Sequence, residues 1–358
     1  MSRAVTAAAA LAALVLVAAA PAPAQRSAVS ELSPAQLAGQ RIVCGFNGRS
    51  VPGPLSQSIG RGELGGVILF SQNARKPAQV RGLTTALQAV VRPPGLRQPL
   101  LIASDQEGGQ VRRLPGPPSE SAVAMAARGA AYVERQGRRT GRSMVRLGVN
   151  VDLAPVADVP ASPRSFMLET GRTWSSSAAT TSELANAFAT GLERRGVIPV
   201  MKHFPGLGHA DRNTDFHIEA IAASRAALAP GLVPYRAAVA RHIPMVMLSN
   251  AVYAAYDGAN AAGWSAAIGT RLLRRDLGFA GVTITDSLDG AAHARGIADD
   301  PLAIRAARAG TDMILVTGSE AASASVYASL MAAARAGTLD RAQLEASSRR
   351  IRALKRTL

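Results

Sequence analysis

The sequence predicts an α/β fold, a (β/α)8 TIM-type barrel that forms a single domain. Short apolar runs recur along the chain, and Ala-rich segments with helical spacing lie between them. The runs are apolar on both faces rather than alternating, as in parallel strands that helices cover. Eight such runs in alternation with helices favour a closed barrel over an open sheet. Residues 25–358 show no interdomain linker and no repeat of fixed period, and a barrel of this length forms one domain.

The apolar runs define eight predicted strands. They span Arg41–Phe46, Gly66–Phe70, Leu100–Ser104, Val149–Ala154, Pro199–His203, Pro244–Ser249, Val282–Asp286 and Met313–Val316. The clearest helices are predicted over Pro77–Val91, Ser182–Arg195, Ser265–Asp276, Pro301–Ala309 and, at the end of the chain, Asp340–Leu354. A short helix is also predicted to begin at Ser33-Pro34, because serine is a good N-cap and proline suits the first helical position.

The N-terminus has the pattern of a secretory signal. Arg3 gives a positive end, Ala7–Ala20 is a run of small apolar residues, and Ala22-Pro23-Ala24 offers a small-x-small cleavage site. A retained membrane anchor would need a longer and bulkier apolar stretch. We therefore predict that residues 1–24 are a signal peptide and that residues 25–358 form the mature barrel. The mature protein is expected in the periplasm or secreted, with no stable membrane insertion.

The charge balance does not predict a nucleic-acid partner. The chain carries 40 Lys and Arg against 24 Asp and Glu, a formal net charge of +16. A nucleic-acid binder would cluster its basic residues among aromatic side chains, whereas here the arginines are dispersed and aromatic residues make up 4%. Weak attraction to anionic surfaces remains open. Cys44 is the single cysteine, so no intramolecular disulfide can form, and the oligomeric state does not follow from the sequence.

Polar residues gather where the predicted strands end, which is where barrel enzymes build their active sites. The third strand is followed by Asp105-Gln106-Glu107, and Asp152 and Asp158 lie at and beyond the end of the fourth. The fifth closes with Lys202-His203, the sixth is followed by Asn250, and the seventh ends at Asp286. Asp152 and Asp158 are expected to hold loops beneath the site. Asp289, one turn beyond Asp286, is expected at the surface.

The densest signal is the segment K-H-F-P-G-L-G-H-A-D-R-N-T-D-F-H at residues 202–217. It contains three of the five histidines and one of the three lysines. Its glycines and proline indicate an irregular loop, and an Asp two residues before a His suits acid/base chemistry near neutral pH. Incidental loop histidines or a metal site are the alternatives. The metal interpretation lacks cysteine and a helical H-x3-H spacing, so we predict no metal and no cofactor.

This segment resembles the K-H-F-P-G-x-G signature of the β-N-acetylhexosaminidases of glycoside hydrolase family 3. The resemblance implies that His217 is the acid/base and Asp215 its partner. Residues 105–113, D-Q-E-G-G-Q-V-R-R, are similar to the family's D-x-E-G-G-x-V-x-R segment. That similarity implies sugar-binding roles for Asp105 and Arg113. Lys202 carries over as a further sugar ligand.

Two further segments extend the resemblance, which covers about residues 35–318. G-R-T-W-S at residues 171–175 resembles the family's G-R-x-[FW]-S loop and places Arg172 on substrate. His203 carries over as a sugar ligand beside Lys202. G-V-T-I-T-D-S-L at residues 281–288 resembles the nucleophile strand, which implies that Asp286 is the nucleophile.

The loop departs from the common family pattern in its spacing. It is two residues longer after Gly208, Leu207 replaces a histidine, and it resembles a divergent N-T-D subgroup whose members often lack the following histidine. Here that histidine follows Phe216 rather than serine, and His209 is a second candidate within the loop. Asn250 stands where S-H-x-x-Y is common, so a changed subsite is expected.

The resemblance implies an exported retaining β-glycosidase. The first expectation is a β-N-acetylhexosaminidase that releases terminal N-acetylhexosamine from peptidoglycan or chitin fragments by double displacement. A β-glucosidase-like hydrolase of the same fold and a catalytically impaired sugar-binding protein are the alternatives. The length favours the first, since family β-glucosidases usually carry a second α/β domain. Asp286 argues against the third, because binding alone needs no nucleophile.

Overall fold

Eight parallel strands surround a central axis in the order in which they occur along the chain. The computed structural model describes residues 32–358, so the predicted signal segment 1–24 lies outside the described residues. We label the barrel strands β1 to β8. They span Ile42–Cys44, Gly66–Ile68, Leu101–Ser104, Val151–Asp152, Ile198–Phe204, Met245–Leu248, Val282–Thr285 and Ile314–Val316. Each predicted apolar run contains or overlaps one of these strands, which confirms the predicted barrel.

Helices surround the sheet. The α-helices of the described residues are Pro34–Gly39, Gly53–Arg61, Pro77–Ala89, Ala122–Ala126, Ala130–Leu147, Phe166–Glu169, Ala178–Glu193, Arg225–Ala240, Leu288–Arg295, Asp299–Ala309, Glu320–Arg335 and Arg341–Lys355. The first is capped as predicted, because the Ser33 hydroxyl accepts from the Gln36 backbone N–H at 3.2 Å. The helix predicted over Ser265–Asp276 is instead a π-helix over Ala266–Asp276.

The strands separate two apolar layers. Along β1, Ile42 and Cys44 face the helices, and Val43 faces the barrel interior. Ile351 and Leu354 of the C-terminal helix join that interior layer. Successive side chains of a strand point alternately into the barrel and toward the helices, and both environments are apolar. This explains why the strands are apolar on both faces. The C-terminal helix fills one end of the barrel, so a ligand must enter from the other.

The barrel closes between β7 and β8 through a parallel bridge of Ile284 with Met313. Asp312, which has no exposed surface, strengthens this closure. Its carboxylate accepts from the Thr283 backbone N–H at 2.9 Å and from Arg350 Nη2 of the C-terminal helix at 2.6 Å. A buried carboxylate is stable only when it is paired in this way. The closure and the C-terminal helix are therefore fixed to one another by a single side chain.

Small sheets that the sequence did not predict extend from the barrel. The loop after β3 forms a hairpin of Gln106–Gly108 with Val111–Arg112. A three-stranded sheet combines Ala220–Ile221, Val252–Tyr253 and Asp257–Ala261. These strands are mostly too short to show a hydrophobic period. They lie in the loops after β3, β5 and β6 and add to the end of the barrel where the strands terminate.

Candidate active site

A cavity of about 410 Å³ opens at the carboxyl ends of the barrel strands. This is the end at which barrel enzymes carry their active sites. Seven of the eight predicted site residues line it: Asp105, Arg113, Arg172, Lys202, His203, Asp215 and Asp286. The eighth, His217, does not. The rule that polar residues at strand ends converge is thus confirmed for residues separated by up to 181 positions along the chain (286 − 105).

A buried ion network forms the floor of the cavity. Lys202 Nζ lies 2.6 Å from Asp105 Oδ1 and 2.7 Å from Glu107 Oε1. Arg172 binds Glu107 with two hydrogen bonds, from Nε at 2.9 Å and from Nη2 at 2.8 Å. Such a bidentate pair fixes the orientation of both groups. Glu107 was not among the predicted site residues, although it belongs to the quoted D-x-E motif, because its role is to hold two cations rather than to face the cavity.

The network stays ionised despite its burial. Burial opposes ionisation of Glu107, but Arg172 and Lys202 outweigh it and hold the pKa of that carboxyl well below its usual range. Burial also disfavours the charged form of Lys202, and Asp105 and Glu107 more than compensate, so the pKa of Lys202 lies above its ordinary value. Opposite charges at this distance in a poorly solvated site reinforce one another. The cavity therefore offers fixed charges whose positions do not depend on bound ligand.

His203 is oriented by a second buried carboxylate. Its Nδ1 lies 2.7 Å from Asp158 Oδ2, and Asp158 Oδ1 accepts from the Leu207 backbone N–H at 2.7 Å. Asp158 thus makes loop contacts of the predicted kind, and Asp152 does so by accepting from the Gln106 backbone N–H at 3.0 Å. With Nδ1 engaged, Nε2 is the His203 nitrogen without a partner among residues 32–358.

Arg113 contributes a donor that is buried without a partner. Its backbone N–H donates to the Asp105 carbonyl at 3.1 Å, which joins the two ends of the hairpin after β3. Its Nε is buried and has no hydrogen-bond partner within the described part of the chain. An unsatisfied buried donor is unfavourable unless a ligand accepts from it. Arg113 is therefore suited to bind a hydroxyl or carbonyl oxygen in the cavity.

Asp286 follows the last residue of β7 and lines the cavity. Its Oδ1 accepts from the Ser287 backbone N–H at 2.8 Å. No partner of Oδ2 occurs among residues 32–358, so this oxygen is available to an electrophile. Asp289, which we expected at the surface, also lines the cavity and accepts from the Thr317 backbone N–H at 2.7 Å. That expectation was wrong because the helix Leu288–Arg295 begins directly at Ser287 and turns Asp289 back toward the strand ends.

The loop after β5 directs Asp215 inward and His217 outward. Asn213 organises the turn: its Oδ1 accepts from the Asp215 N–H at 2.9 Å, and its carbonyl accepts from the His217 N–H at 3.0 Å. The His217 side chain is exposed and makes no hydrogen bond or ion pair with any residue in the described range. The expected pairing of Asp215 with His217 is therefore not formed in this structure.

Asp215 faces Asp286. A Cβ at Gly290 would lie 3.1 Å from the Asp215 carbonyl oxygen, so the glycine allows the loop to pack on the helix that follows Asp286. Burial, and then the negative charge of Asp286, raise the pKa of Asp215 from 3.8 to about 6. A carboxyl group whose pKa is raised beside a second carboxyl group is typical of sites that pair an acid with a nucleophile.

Two other residues named in the sequence analysis lie outside the cavity. His209 Nε2 lies 3.2 Å from the Ala227 carbonyl and does not line the cavity. Asn250, expected to change a subsite, is buried behind the cavity wall, where its Nδ2 donates to the Ser287 carbonyl at 2.8 Å. Asn250 thus supports the segment that follows Asp286 and does not contact the cavity.

The fold and this set of side chains define a sugar hydrolase, and comparison with known proteins identifies the family. The sequence model of the glycosyl hydrolase family 3 N terminal domain matches residues 53–354, and the chain therefore belongs to this family. An uncharacterized secreted glycosyl hydrolase of Arthroderma benhamiae is 33% identical over 329 residues, which are 90% of this chain and 93% of that protein.

Two solved structures are similar to this one. The family 3 β-N-acetylglucosaminidase of Paenibacillus sp. str. FPU-7 superposes with a TM-score of 0.86 at 30% identity, covering 91% of this chain and 63% of that one. The β-N-acetylhexosaminidase of Beutenbergia cavernae superposes with a TM-score of 0.84 at 31% identity, covering 91% and 99%. The chain is a glycoside hydrolase that resembles β-N-acetylhexosaminidases. It spans less than two thirds of the Paenibacillus enzyme.

Within residues 32–358, none of the helices combines the length and the apolarity that a bilayer crossing requires.

The raised pKa of Asp215 predicts a pH-dependent stability difference. The folded state holds a proton on Asp215 more tightly than the unfolded state, whose pKa is about 3.8. The contribution of Asp215 to the free energy of unfolding is therefore fully present below pH 3.8 and is lost as the pH rises through about 6. Asparagine keeps the shape without the charge. We expect Asp215→Asn to raise the free energy of unfolding at about pH 7.5 by up to about 3 kcal/mol, and to leave it nearly unchanged at about pH 4. Urea unfolding at both pH values measures this.

Asp276→Asn is the matched control, because Asp276 is exposed and lies outside the cavity. It should leave the unfolding free energy within about 0.5 kcal/mol of wild type at both pH values. An equal gain at both pH values for Asp215→Asn would contradict the assigned environment.

Proposed function

We propose that the chain is an exported, retaining β-N-acetylhexosaminidase that releases terminal N-acetylhexosamine by double displacement. The observation that carries the proposal is the position of Asp286: a carboxylate with one free oxygen, at the end of β7, in the cavity that holds the predicted sugar ligands. Its proposed substrates are fragments of peptidoglycan or chitin.

The sugar-binding role is proposed for Asp105, Arg113, Arg172, Lys202 and His203. Asp105 and Lys202 offer charged hydrogen-bonding groups, Arg113 a buried unpartnered Nε, and His203 a free Nε2. Arg172 and Glu107 hold this set rigid through their bidentate pair. Groups that are fixed before the substrate arrives need no reorganisation during reaction.

The proposed reaction has two steps. In the first, an Asp286 carboxylate oxygen forms a bond to the anomeric carbon, the bond from that carbon to the leaving oxygen breaks, and an acid transfers its proton to the leaving oxygen. In the second, the acid's conjugate base takes a proton from water, the water oxygen bonds to the anomeric carbon, and Asp286 leaves as a carboxylate. The configuration at the anomeric carbon is retained because it is inverted twice.

We propose Asp215 as the group that supplies the proton. It lines the cavity with Asp286, and its raised pKa of about 6 keeps a share of it protonated near neutral pH. The family resemblance assigns the proton to His217 instead. His217 is exposed outside the cavity and would require the turn at Asn213 to reorganise when sugar binds.

The N-acetylhexosaminide preference rests on the similar enzymes, and a β-glucoside is the alternative. The Paenibacillus and Beutenbergia proteins are described as a β-N-acetylglucosaminidase and a β-N-acetylhexosaminidase. Side-by-side hydrolysis of chromogenic N-acetylglucosaminide and glucoside separates the two preferences. We expect faster turnover of the N-acetylated substrate.

Export is proposed from the signal-like N-terminus, and the Arthroderma relative is described as secreted. The mature chain should begin at Gln25, because Ala22-Pro23-Ala24 precedes it. Intact-mass measurement of the exported protein tests this. A mass that still includes Met1 would contradict the proposed processing.

Replacement of the nucleophile should abolish turnover. Asp286→Asn keeps the hydrogen bond from Ser287 N–H to its side-chain oxygen but cannot form the glycosyl ester, so kcat should fall to less than a tenth of wild type. A tenfold loss corresponds to about 1.4 kcal/mol of barrier. Asp276→Asn is the matched surface control and should retain full activity. Trapping with a 2-fluoro or 5-fluoro glycosyl donor, followed by peptide mapping, should label Asp286 in the wild type; a label on Asp289 would overturn the assignment.

The proton donor is identified by its dependence on the leaving group. An activated aryl glycoside needs little protonation, whereas a poor leaving group needs a general acid that contributes roughly 10²–10⁴-fold. We expect Asp215→Asn to slow the poor leaving group by about this factor and the activated one far less. His217→Ala should show a smaller selective loss.

Three variants are compared because they separate three outcomes. An equal selective loss for His217→Ala and Asp215→Asn would mean that the two residues act as a pair after loop closure. A selective loss for His217→Ala alone would contradict Asp215 as the donor. His209→Ala is the loop control and should show no selectivity, since His209 lies outside the cavity.

A further inference from the structure

An arginine cluster lines a depression of about 370 Å³ on the outside of the barrel. Its five members are Arg135, Arg138, Arg139, Arg142 and Arg195. The first four lie on the helix Ala130–Leu147, at spacings of three, four and seven residues that place them on one face. The distance along the helix from the first to the fourth is roughly 10 Å at 1.5 Å per residue.

Close helix packing brings the fifth arginine to the others. The helices Ala130–Leu147 and Ala178–Glu193 meet through glycines: a Cβ at Gly137 would lie 2.3 Å from the Phe188 carbonyl oxygen. A Cβ at Gly141 would lie 2.8 Å from the Cβ of Arg195. Only a residue without a side chain fits at these contacts, so the approach of Arg195 to the helix is fixed by the backbone.

The positive charge of the cluster is poorly balanced. Glu134 lies 3.0 Å from Arg138 and 2.6 Å from Arg194, and it is the counter-charge that the described residues provide here. The guanidinium groups of Arg139, Arg142 and Arg195 have no hydrogen bond or ion pair with any residue in the range 32–358. Like charges four residues apart on a helix destabilise it by roughly 0.2–0.5 kcal/mol per pair. Favourable interaction with the helix dipole extends only over the last turn, so it does not account for Arg135 to Arg142.

The cluster runs along the side of the barrel, and its members Arg142 and Arg195 lie toward the end opposite the cavity. Arg195 precedes the first residue of β5 by three positions, and the helix that carries the other four ends just before β4 begins. Both connections enter the sheet at the amino ends of parallel strands. The cavity opens at the carboxyl ends, so a surface bound by the cluster would leave the cavity accessible.

We propose that the arginine cluster docks the protein onto the phosphate groups of an anionic bilayer and leaves the cavity accessible to solvent. Arginine presents a planar fork of donors that matches phosphate oxygens. A row of roughly 10 Å exceeds a single phosphate group and suits several headgroups side by side. Val145, 46% exposed on the same helix three residues after Arg142, adds apolar contact area at the same face.

The geometry favours a lipid surface over a nucleic acid. Tyr132 is the aromatic side chain of this helix, and the guanidinium carbons of Arg128 and Arg135 lie 3.7 and 5.5 Å from its ring centre. Two guanidinium groups thus already contact this ring, on which a base of single-stranded nucleic acid would have to stack. The docking is independent of the proposed glycosidase activity and uses only the position of the cavity.

The experiment is co-sedimentation of the wild-type protein with large vesicles of phosphatidylcholine alone and with about 30% phosphatidylglycerol. Binding should require the anionic lipid and should disappear in about 0.5 M NaCl, because exposed charges are screened. The variant Arg139→Gln/Arg142→Gln/Arg195→Gln removes the three unpaired charges. Each basic residue near an anionic surface contributes enough that the triple variant should bind roughly 100-fold more weakly.

The matched control is Arg271→Gln/Arg305→Gln/Arg349→Gln, which removes three exposed arginines from other helices. It should keep wild-type vesicle binding, and both triple variants should keep wild-type turnover of a soluble chromogenic substrate. Absence of wild-type binding to anionic vesicles, or equal weakening in both triple variants, overturns the proposal. Binding of soluble polyphosphate or single-stranded DNA through the same three arginines without vesicle binding would also overturn it, because the ligand would then not be a bilayer.

Discussion

The site depends on the pairing of Lys202 with two carboxylates. Lys202 lies on β5 and is 2% exposed, so its charge is stable only because Asp105 and Glu107 lie within 2.7 Å of it. Those two residues belong to the loop after β3. Arg172 binds Glu107 from the loop after β4 that leads into the helix Ala178–Glu193. One buried ammonium group therefore joins β5 to the loop after β3, and Glu107 joins that loop to the one that carries Arg172. Removing a single partner would leave an uncompensated buried charge, which makes the floor of the cavity an all-or-none arrangement.

The cavity combines this balanced network with an unbalanced pair. Asp215 and Asp286 both line the cavity, and burial together with the charge of Asp286 raises the pKa of Asp215 more than His203 and Arg172 lower it. Such an arrangement lowers stability, and active sites retain it because it keeps one carboxyl group protonated beside an ionised one. The rest of the fold supplies the stability that this pair lacks, through the two apolar layers and the closure around Asp312. The glycine at position 290 is what permits the close approach of the Asp215 loop.

The side of the barrel shows a second local excess of charge. The arginines along Ala130–Leu147 repel one another there. Asp215 and Asp286 repel one another in the cavity, at the carboxyl ends of the strands. The two excesses differ in sign and lie on different surfaces of the barrel, one on its side and the other in the cavity. The arginines are less dispersed than we expected from the sequence, since four of the five lie within residues 135–142. Only Arg195 is added by tertiary packing, through the glycine contacts between the two helices.

The sequence alone determined the barrel and the location of the site. Apolar runs specify strands through burial on both faces, and parallel strands bring their carboxyl ends together whatever the loops do, so Asp105, Lys202 and Asp286 were predictable as neighbours. Only the tertiary structure decided which way individual side chains point. The turn at Asn213 orients Asp215 and His217 by backbone hydrogen bonds, and the start of a helix at Ser287 turns Asp289 inward. These directions depend on local backbone angles and on packing between distant segments, and neither is encoded in hydrophobic periodicity or motif spacing.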